Sequence, residues 1–335
     1  MVMHWLITGG CGFIGSSLIQ QIIEHDRKAR IRVFDNLSVG TREDLAEVCD
    51  FIELSADEIK ANPICESAVS CQLIVGDIRN VEIAQKVVVG VDVIVHLAAN
   101  TGVGPSVDNP RLDCITNVVG TFNMLEAARL NNVKRFVFAS SGAPVGEVEP
   151  PIHEELAPHP VSPYGASKLA GEGYCSSYSR TFGIDTVVLR FGNVYGPRSK
   201  NKASVVAKFI KQAIKGKVLE VYGKGDQTRD FIYIKDLVYA IELAASKPGV
   251  GGEVFQIATS AETTVNEIVD LLVSTLAEHG IKNIEVVHAE TRLGDVERNY
   301  SDTTKANRIL GWKNQTKLIN GLKDTAKWFL SRLPR

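Results

Sequence analysis

Short apolar runs alternate with longer amphipathic stretches over residues 1–192 of this chain. An apolar run of about four to eight residues is typical of a buried strand, and apolar residues spaced three and four apart are typical of a helix. The predicted strands are 4–8, 31–34, 73–75, 91–95, 136–139 and 186–190. Because strands and helices alternate, the pattern predicts an α/β fold with a doubly wound parallel sheet.

A glycine-rich turn, Gly9-Gly10-Cys11-Gly12-Phe13-Ile14-Gly15, separates the first predicted strand from an amphipathic helix. Glycines allow the backbone to approach a pyrophosphate, and the helix N-terminus stabilises its charge. The second strand ends at Asp35, 20 residues beyond Gly15, where an acid can bind the adenosine ribose diol. A carboxylate there repels a 2′-phosphate, so we expect NAD rather than NADP. The alternative is that Asp35 only forms a turn.

The alternation becomes less regular after residue 192, where Pro197 and a lysine-rich segment follow. We therefore predict a Rossmann domain over 1–192 and a smaller, interleaved substrate-binding part over 193–335. The chain is predicted to return to the sheet within 228–260, at 231–239 and 254–257. A helix is predicted over 112–130. Residues 50–72 are less regular and are predicted to be a surface insertion.

Composition excludes several other classes of protein. The chain has 335 residues, 44% of them hydrophobic and 23% charged, which is typical of a globular protein. A net charge of -2 gives no basic field for nucleic acid. The longest apolar stretch, 87–99, is too short to span a bilayer, and the N-terminus lacks a signal-peptide pattern, so a cytoplasmic protein is expected. Cysteine and histidine spacings predict no metal site.

Tyr164 and Lys168 are four residues apart in a predicted helix that Ser162 caps and Pro163 begins. They therefore share one face of this helix. A lysine ammonium near a phenol favours the phenolate, so we expect a tyrosine pKa below its ordinary value of about 10 and a general base at this position. Tyr-x-x-x-Lys is also common on protein surfaces, and only the upstream motifs favour the catalytic interpretation.

These motifs together resemble the extended short-chain dehydrogenase/reductases, in particular the NAD-dependent nucleotide-sugar epimerase/dehydratases, and the pattern is most similar to UDP-hexose 4-epimerases. The matching segments run in family order along nearly the whole chain. They are 8–15, Asp35-Asn36-Leu37-Ser38, Gly76-Asp77-Ile78, His96-Leu97-Ala98-Ala99, 117–121, Ser140-Ser141, 164–168, Arg229-Asp230-Phe231, 292–295 and 302–306.

The resemblance implies a role for each catalytic residue. Tyr164 would be the base on the sugar 4-hydroxyl, and Lys168 would be its pKa partner and a ribose ligand. Ser141 would bond the same hydroxyl, and Asn117 would support the lysine and the nicotinamide end. NAD would take a hydride from C4 and give a transient 4-keto sugar, while the protein supplies orientation and electrostatics.

The resemblance also implies two sets of binding residues. The cofactor set is Gly9, Gly12, Phe13, Ile14, Gly15, Asp35, Asn36, Ser38, Gly40, Asp77, Ile78, Leu97, Ala98, Ala99, Thr101, Asn117, Ser140, Tyr164, Lys168 and Phe191. The substrate set is Val103, Ser141, Tyr164, Asn193, Val206, Tyr222, Arg229, Arg292, Asp295 and Asn299. Arg229 and Arg292 would clamp the diphosphate, although surface ion pairing is the alternative. Lysines 200–217 interleave with apolar residues, and most of them are expected on a solvated face.

The positions after Ser141 discriminate among reactions in this group. Dehydratases resemble one another in carrying an acidic residue there, whereas this chain has Gly142 and Ala143. The leading interpretation is therefore NAD-dependent 4-epimerisation of a UDP-hexose of the glucose/galactose type. A nucleotide-sugar 4,6-dehydratase or a 4-keto-sugar reductase is the alternative within enzymes. A catalytically silent NAD-binding protein is the alternative from another class.

Two further expectations follow from the resemblance. Asn299 aligns with a position where Tyr excludes N-acetylated sugars, so the smaller Asn would admit them; the alternative is that Asn299 only caps a turn. A homodimer is expected through the helices that follow Asn117 and Tyr164.

Overall fold

The computed structural model describes residues 2–61, 64, 69–202, 204–290 and 297–332. The strands of these residues are β1 (His4–Thr8), β2 (Arg30–Asp35), β3 (Phe51–Ser55), β4 (Cys71–Val75), β5 (Val93–His96), β6 (Arg135–Ser141), β7 (Asp185–Phe191), β8 (Asn193–Tyr195), β9 (Leu219–Tyr222), β10 (Thr228–Arg229), β11 (Phe231–Tyr233), β12 (Val254–Ile257), β13 (Thr263–Thr264) and β14 (Val286–Ala289).

The helices of the same residues connect and cover these strands. They are α1 (Phe13–His25), α2 (Arg42–Ala46), α3 (Ala56–Ala61), α4 (Val81–Val87), α5 (Val103–Asp108), α6 (Pro110–Cys114), α7 (Gly120–Leu130), α8 (Pro163–Phe182), α9 (Val205–Ile214), α10 (Ile234–Ser246), α11 (Val265–Glu278) and α12 (Leu318–Leu330), with π-helical turns at Ile115–Val119 and Ala306–Leu310.

Eight of the described strands form one parallel sheet in the order β12-β7-β6-β5-β1-β2-β4-β3. Chain order reverses between β1 and β5, and at such a switch point the carboxyl ends of parallel strands form a ligand-binding crevice. The predicted α/β class and doubly wound sheet are confirmed, and each of the six predicted strands is present. Both faces of the sheet are covered, since the adjacent β1 residues Leu6 and Ile7, which point to opposite faces, are buried in two separate apolar clusters.

Three predicted elements differ from the structure. Residues 51–55 are not part of a surface insertion but form the edge strand β3, which pairs with β4 through its backbone despite a half-exposed sequence. Residues 231–239 do not return to the large sheet: β11 pairs with β8, and α10 follows directly. Only β12 makes the predicted return, beside β7. The single helix predicted over 112–130 is α6, a π-helical turn and α7.

Glycine lets α8 approach the sheet closely. A Cβ added to Gly171 would lie 2.4 Å from the ring of Phe138, which belongs to β6. No larger side chain fits between the helix and the strand, so α8 is fixed against the end of β6 where the predicted catalytic residues meet.

Along the described residues, no helix combines the length and apolarity that a membrane span requires.

Candidate active site

The glycine turn after β1, residues 9–15, packs against Gly40, and together they form what we call the cofactor cradle. At two of its glycines the backbone packs too closely for any larger residue. A Cβ on Gly15 would lie 2.5 Å from the carbonyl oxygen of Gly9, and one on Gly40 would lie 2.3 Å from the carbonyl carbon of Cys11. The N-terminus of α1 follows directly and has no side-chain cap. Close backbone approach and uncapped N–H groups at a helix N-terminus fit the pyrophosphate of a dinucleotide such as NAD.

Asp35, at the end of β2, is bonded to this cradle. Its carboxylate accepts hydrogen bonds from the backbone N–H of Cys11, at 2.9 Å, and of Leu37, at 2.8 Å. Burial raises the pKa of Asp35, although these N–H groups act in the opposite direction. A carboxylate has capacity for about four hydrogen bonds, so acceptor sites remain for the ribose diol predicted from the sequence.

Asn36 and Asp77 connect the ends of β2 and β4. The Asn36 amide donates to the Asp77 carboxylate over 3.1 Å, and Arg79 forms a 2.7 Å ion pair with the same carboxylate. Burial alone would raise the pKa of Asp77, but the hydrogen bonds from Arg79 and Asn36 lower it to about 2. Asp77 is therefore an acceptor at neutral pH, beside the cofactor cradle. Ser38 is exposed in the same loop, and Ile78 is buried behind it.

His96 lies wholly buried between two threonines. Its Nδ1 is 2.8 Å from Thr8 Oγ1 and its Nε2 is 3.1 Å from Thr121 Oγ1. Burial, with a smaller contribution from the charge of Lys168, lowers the pKa of His96 to about 3, so the ring stays neutral. Thr8 also accepts from the backbone N–H of Ala98 at 3.1 Å. This network holds the ends of β1 and β5 together at the switch point.

Ser141, Tyr164 and Lys168 meet where β6 ends and α8 begins. Ser162 caps α8 by accepting from the Gly165 N–H at 3.1 Å. Tyr164 forms a hydrogen bond with Ser141. The Lys168 ammonium donates to the carbonyl of Ala139 at 2.8 Å and lies 5.9 Å from the centre of the Tyr164 ring. The structure therefore brings the three predicted catalytic residues together.

The predicted depression of the tyrosine pKa is wrong for this structure. Burial raises the pKa of Tyr164 to about 12 despite the hydrogen bond to Ser141, and the charge of Asp113 adds to the increase. Burial also lowers the pKa of Lys168 to about 8. Both shifts have one cause, because a buried site disfavours the charged form of each group.

Asn117 lies in the π-helical turn between α6 and α7, and π turns occur frequently at functional sites. Its amide oxygen accepts from the N–H of Asn100 at 2.8 Å. Its amide nitrogen donates to Asp113 at 2.9 Å and to Ser167 at 3.1 Å. Asn117 therefore joins the loop after β5 to α8 through Ser167, the residue before Lys168, rather than bonding the lysine itself.

Glu172 lies beneath the catalytic residues, one turn after Lys168. Its carboxylate forms a buried ion pair with Arg190 at 2.7 Å and accepts from the Ser140 hydroxyl at 2.5 Å. The Ser140 side chain, predicted as a cofactor contact, is thus engaged by the core, while that of its neighbour Ser141 meets Tyr164. Removing either partner of a buried ion pair is strongly destabilising, so this pair fixes the end of β6.

Most of the predicted substrate residues follow β7 in the chain. Val206 is buried in α9, and the Tyr222 ring, at the end of β9, has the Lys208 ammonium 5.0 Å from its centre. Asn193 begins β8 and pairs with Phe231 of β11. The N–H of Asn299 donates to Thr228 Oγ1 at 3.3 Å.

The remaining predicted residues are more scattered. Arg229 donates to the carbonyl of Thr228 at 2.6 Å, and Phe191 ends β7. Thr101 and Val103 are exposed near the start of α5. Arg292 and Asp295 lie outside the described residues. In the part of the chain that the structure describes, no three His, Cys, Asp or Glu side chains are grouped to bind a metal ion.

One protein-family model matches a continuous range that includes both the cofactor cradle and the catalytic residues. The model of the NAD dependent epimerase/dehydratase family matches residues 5–258, which is most of the chain. The chain belongs to this family. The resemblance read from the sequence is thereby confirmed, and NAD is its cofactor.

Relatives within the epimerase/dehydratase family carry several activities in their names. A UDP-glucose 4-epimerase from Mycolicibacterium smegmatis is 34% identical, over 98% of this chain and 99% of that protein. dTDP-glucose 4,6-dehydratase 1 from Escherichia coli is 31% identical, over 98% and 93%. The structure of UDP-N-acetylglucosamine 4-epimerase from Methanobrevibacter ruminantium M1, in complex with UDP-N-acetylmuramic acid, matches with a TM-score of 0.86 at 30% identity and 99% coverage of both chains.

Several residues of this epimerase/dehydratase site were not predicted from the sequence. Asp113 accepts a hydrogen bond from Asn117. Glu172 accepts one from Ser140 and is paired with Arg190. Asp113 precedes Asn117 by four residues, and Glu172 follows Lys168 by four, so each shares a helix face with a predicted residue. That spacing was the available signal, but charged residues at such intervals are common on solvated helices.

Proposed function

We propose that this protein catalyses NAD-dependent 4-epimerisation of a UDP-hexose of the glucose/galactose type. The observation that carries the proposal is the Ser141–Tyr164–Lys168 group with only Gly142 and Ala143 after Ser141. Tyr164 and Ser141 can bind and deprotonate one sugar hydroxyl, and no titratable side chain follows Ser141 to assist elimination of water. A 4-epimerase needs a group that deprotonates the sugar hydroxyl but no group that assists elimination of water.

The residues divide the work in this proposal. Tyr164 holds and moves the proton at the sugar 4-oxygen, and Ser141 orients that oxygen through a second hydrogen bond. The Lys168 ammonium stabilises the Tyr164 phenolate, the form that accepts the proton from the sugar hydroxyl, and so opposes the effect of burial on the tyrosine pKa. NAD, when bound, supplies the reversible hydride acceptor. Asp35 and the glycine cradle would hold its adenosine and pyrophosphate portions.

Dehydration remains a second candidate because a dTDP-glucose 4,6-dehydratase is among the relatives. A Cβ on Gly142 would meet no atom within 4 Å, so this position has room for a side chain. The structure could therefore accommodate an acidic side chain at position 142, but the sequence has glycine there. This favours epimerisation over dehydration.

Asn299 bears on whether the sugar can carry an N-acetyl group. This residue is half-buried beside Thr228, and we propose that its small side chain admits an N-acetyl group on the sugar, beside the plain hexoses. A relative whose name specifies UDP-N-acetylglucosamine supports this range. Arg229 and Arg292 would contact the diphosphate, and Tyr222 would pack on the base.

The assembly and location belong to the same proposal. A homodimer through α7 and α8 is supported by apolar side chains exposed on these helices, including Phe122 and Phe182. The division into residues 1–192 and 193–335, and a cytoplasmic location, stay predictions.

Incubation of the purified protein with a panel of UDP-hexoses tests this function. An epimerase should contain NAD as purified and interconvert UDP-glucose and UDP-galactose, or their N-acetylated forms, without added cofactor. Formation of a 4-keto-6-deoxy sugar would instead identify a dehydratase. A requirement for added NAD(P)H would identify a reductase, and absence of turnover would favour a silent protein.

A further inference from the structure

Lys202 differs from the other lysines of its segment in where its side chain lies. It precedes α9 rather than belonging to it, and its ammonium is 5.6 Å from the centre of the Phe13 ring. Phe13 is the first residue of α1 and part of the glycine cradle. A lysine from the C-terminal part of the chain thus reaches the cofactor cradle of the N-terminal part.

The backbone around Lys202 is fixed from both sides. Asn201 donates to the carbonyl of Val39, in the loop after β2, at 2.9 Å, and Lys200 forms a 2.5 Å ion pair with Asp44 of α2. From the other side, the Lys211 ammonium donates to the carbonyls of Lys200 and Lys202, at 2.9 and 3.0 Å. The position of Lys202 is therefore determined by bonds to two separate parts of the chain.

The Lys202 ammonium has no acceptor for its three N–H groups among the described residues. The side chain is half-buried, and burial lowers the pKa of Lys202 to about 8. The Phe13 ring faces the charge but does not accept hydrogen bonds as oxygen does. A half-buried ammonium whose N–H groups meet no oxygen of the described residues is suited to an anion that is bound during function.

We propose that Lys202 is a diphosphate-binding residue at the junction between the cofactor cradle and the substrate-binding part. A diphosphate supplies the oxygen acceptors that the ammonium lacks, and the uncapped N-terminus of α1 beside it favours the same charge. The diphosphate could come from NAD or from the nucleotide sugar. The second source rests on the proposed function, whereas the first requires only that NAD binds.

Lys202→Gln tests this role, and Lys215→Gln is its matched control. Lys215 directly follows α9 in the same lysine-rich segment and is exposed, so its substitution removes the same charge without touching the cradle. Lys202→Arg keeps the charge. Two measurements are made on each protein: NAD retained per protomer after repeated desalting, and the dissociation constant for UDP by titration calorimetry, with uridine as the probe that lacks phosphate.

The expected result is a loss of about tenfold or more in one of these affinities for Lys202→Gln, since hydrogen bonds to charged groups contribute at least that factor. Lower NAD retention assigns Lys202 to the cofactor, and weaker UDP binding with unchanged uridine binding assigns it to the substrate. Lys202→Arg should recover part of the affinity, and Lys215→Gln should match wild type.

Equal NAD retention and equal UDP affinity in Lys202→Gln and Lys215→Gln would overturn the inference. If Lys202→Gln does not fold, Lys202→Met removes the same charge while keeping an unbranched apolar stem, and wild-type NAD retention and UDP affinity in that variant would overturn the inference as well. The proposed function is judged separately from turnover of wild-type protein. Loss of NAD retention in a protein that epimerises no sugar would support the role of Lys202 and reject the epimerase.

Discussion

Asn117 donates a 2.9 Å hydrogen bond to Asp113, a carboxylate that is 1% exposed beneath the catalytic helix. Burial raises the pKa of Asp113, while the nearby Ser167 hydroxyl and the charge of Lys168 act to lower it. The influence is mutual, because the charge of Asp113 raises the pKa of Lys168 against the effect of burial. Asp113 thus connects the orientation of Asn117 with the charge of the lysine.

Asp113→Asn should shift the pH dependence of turnover. Removing the carboxylate lowers the pKa of Lys168 further below its value of about 8, so the lysine loses its proton at lower pH. If the charged lysine supports Tyr164, the alkaline limb of kcat/KM moves toward lower pH, and activity falls more at pH 9 than at pH 6.5. Asp108→Asn, an exposed carboxylate of α5, is the control, and coincident pH profiles of the two variants would refute the connection.

Tyr164→Phe should retain the fold and bound NAD but lose about 100- to 10,000-fold in turnover, the range that acid–base catalysis contributes. The ring still packs, whereas the hydroxyl that bonds Ser141 is removed. Tyr174→Phe on the same helix is the control, because Tyr174 is exposed and its ring contact with Phe122 does not need the hydroxyl. Turnover by Tyr164→Phe within threefold of the control would reject Tyr164 as the base.

Asn299→Tyr should restrict the sugar. The larger side chain fills space beside Thr228, so turnover of N-acetylated UDP-hexoses should fall at least tenfold while UDP-glucose turnover changes little. The ratio of kcat/KM for the two substrates measures this effect. Equal loss of both substrates, or a wild-type protein that rejects N-acetylated sugars, would show that Asn299 does not control the sugar.

Phe122→Asp should weaken the expected homodimer. Phe122 packs edge-on against Tyr174, at 5.4 Å between ring centres, and it is 38% exposed; Leu112, Val119 and Phe182, on α6, the π-helical turn and α8, are exposed as well. A charge there opposes burial against a second copy. Sedimentation at micromolar concentration should show wild type as a dimer and the variant as largely monomer. Val81→Asp, on α4, should remain dimeric, and a monomeric wild type would contradict the assembly.

Six of the strands of the large sheet and the cofactor cradle could be predicted from the sequence because both depend on local patterns. The six strands up to 190 are apolar runs, and the cradle needs glycine at fixed spacing, so both are recognisable without tertiary information. Strand β3 was missed because an edge strand with exposed positions lacks that pattern, and its pairing with β4 is made by the backbone.

Electrostatic features required the folded structure. The pKa of Tyr164 was predicted from one neighbour, Lys168, but burial dominates it, and burial is set by elements far apart in sequence. Lys202 was grouped with a solvated lysine face because its distance from Phe13 arises only when the two parts of the chain pack together. The helical spacing of Asp113 was visible, but its depth was not.

The π-helical turn at Ile115–Val119 makes the length of this segment as important as its composition. Such a turn holds one residue more than an α-helical turn, and each residue rotates a helix by about 100°. Deleting any one of these five residues would turn Asn117 away from Asn100 and Ser167 or turn Thr121 away from His96, since both sets of contacts cannot be kept at once. We expect the side chains of Val118 and Val119 to tolerate replacement, whereas gaps in alignments of functional relatives should avoid this stretch altogether.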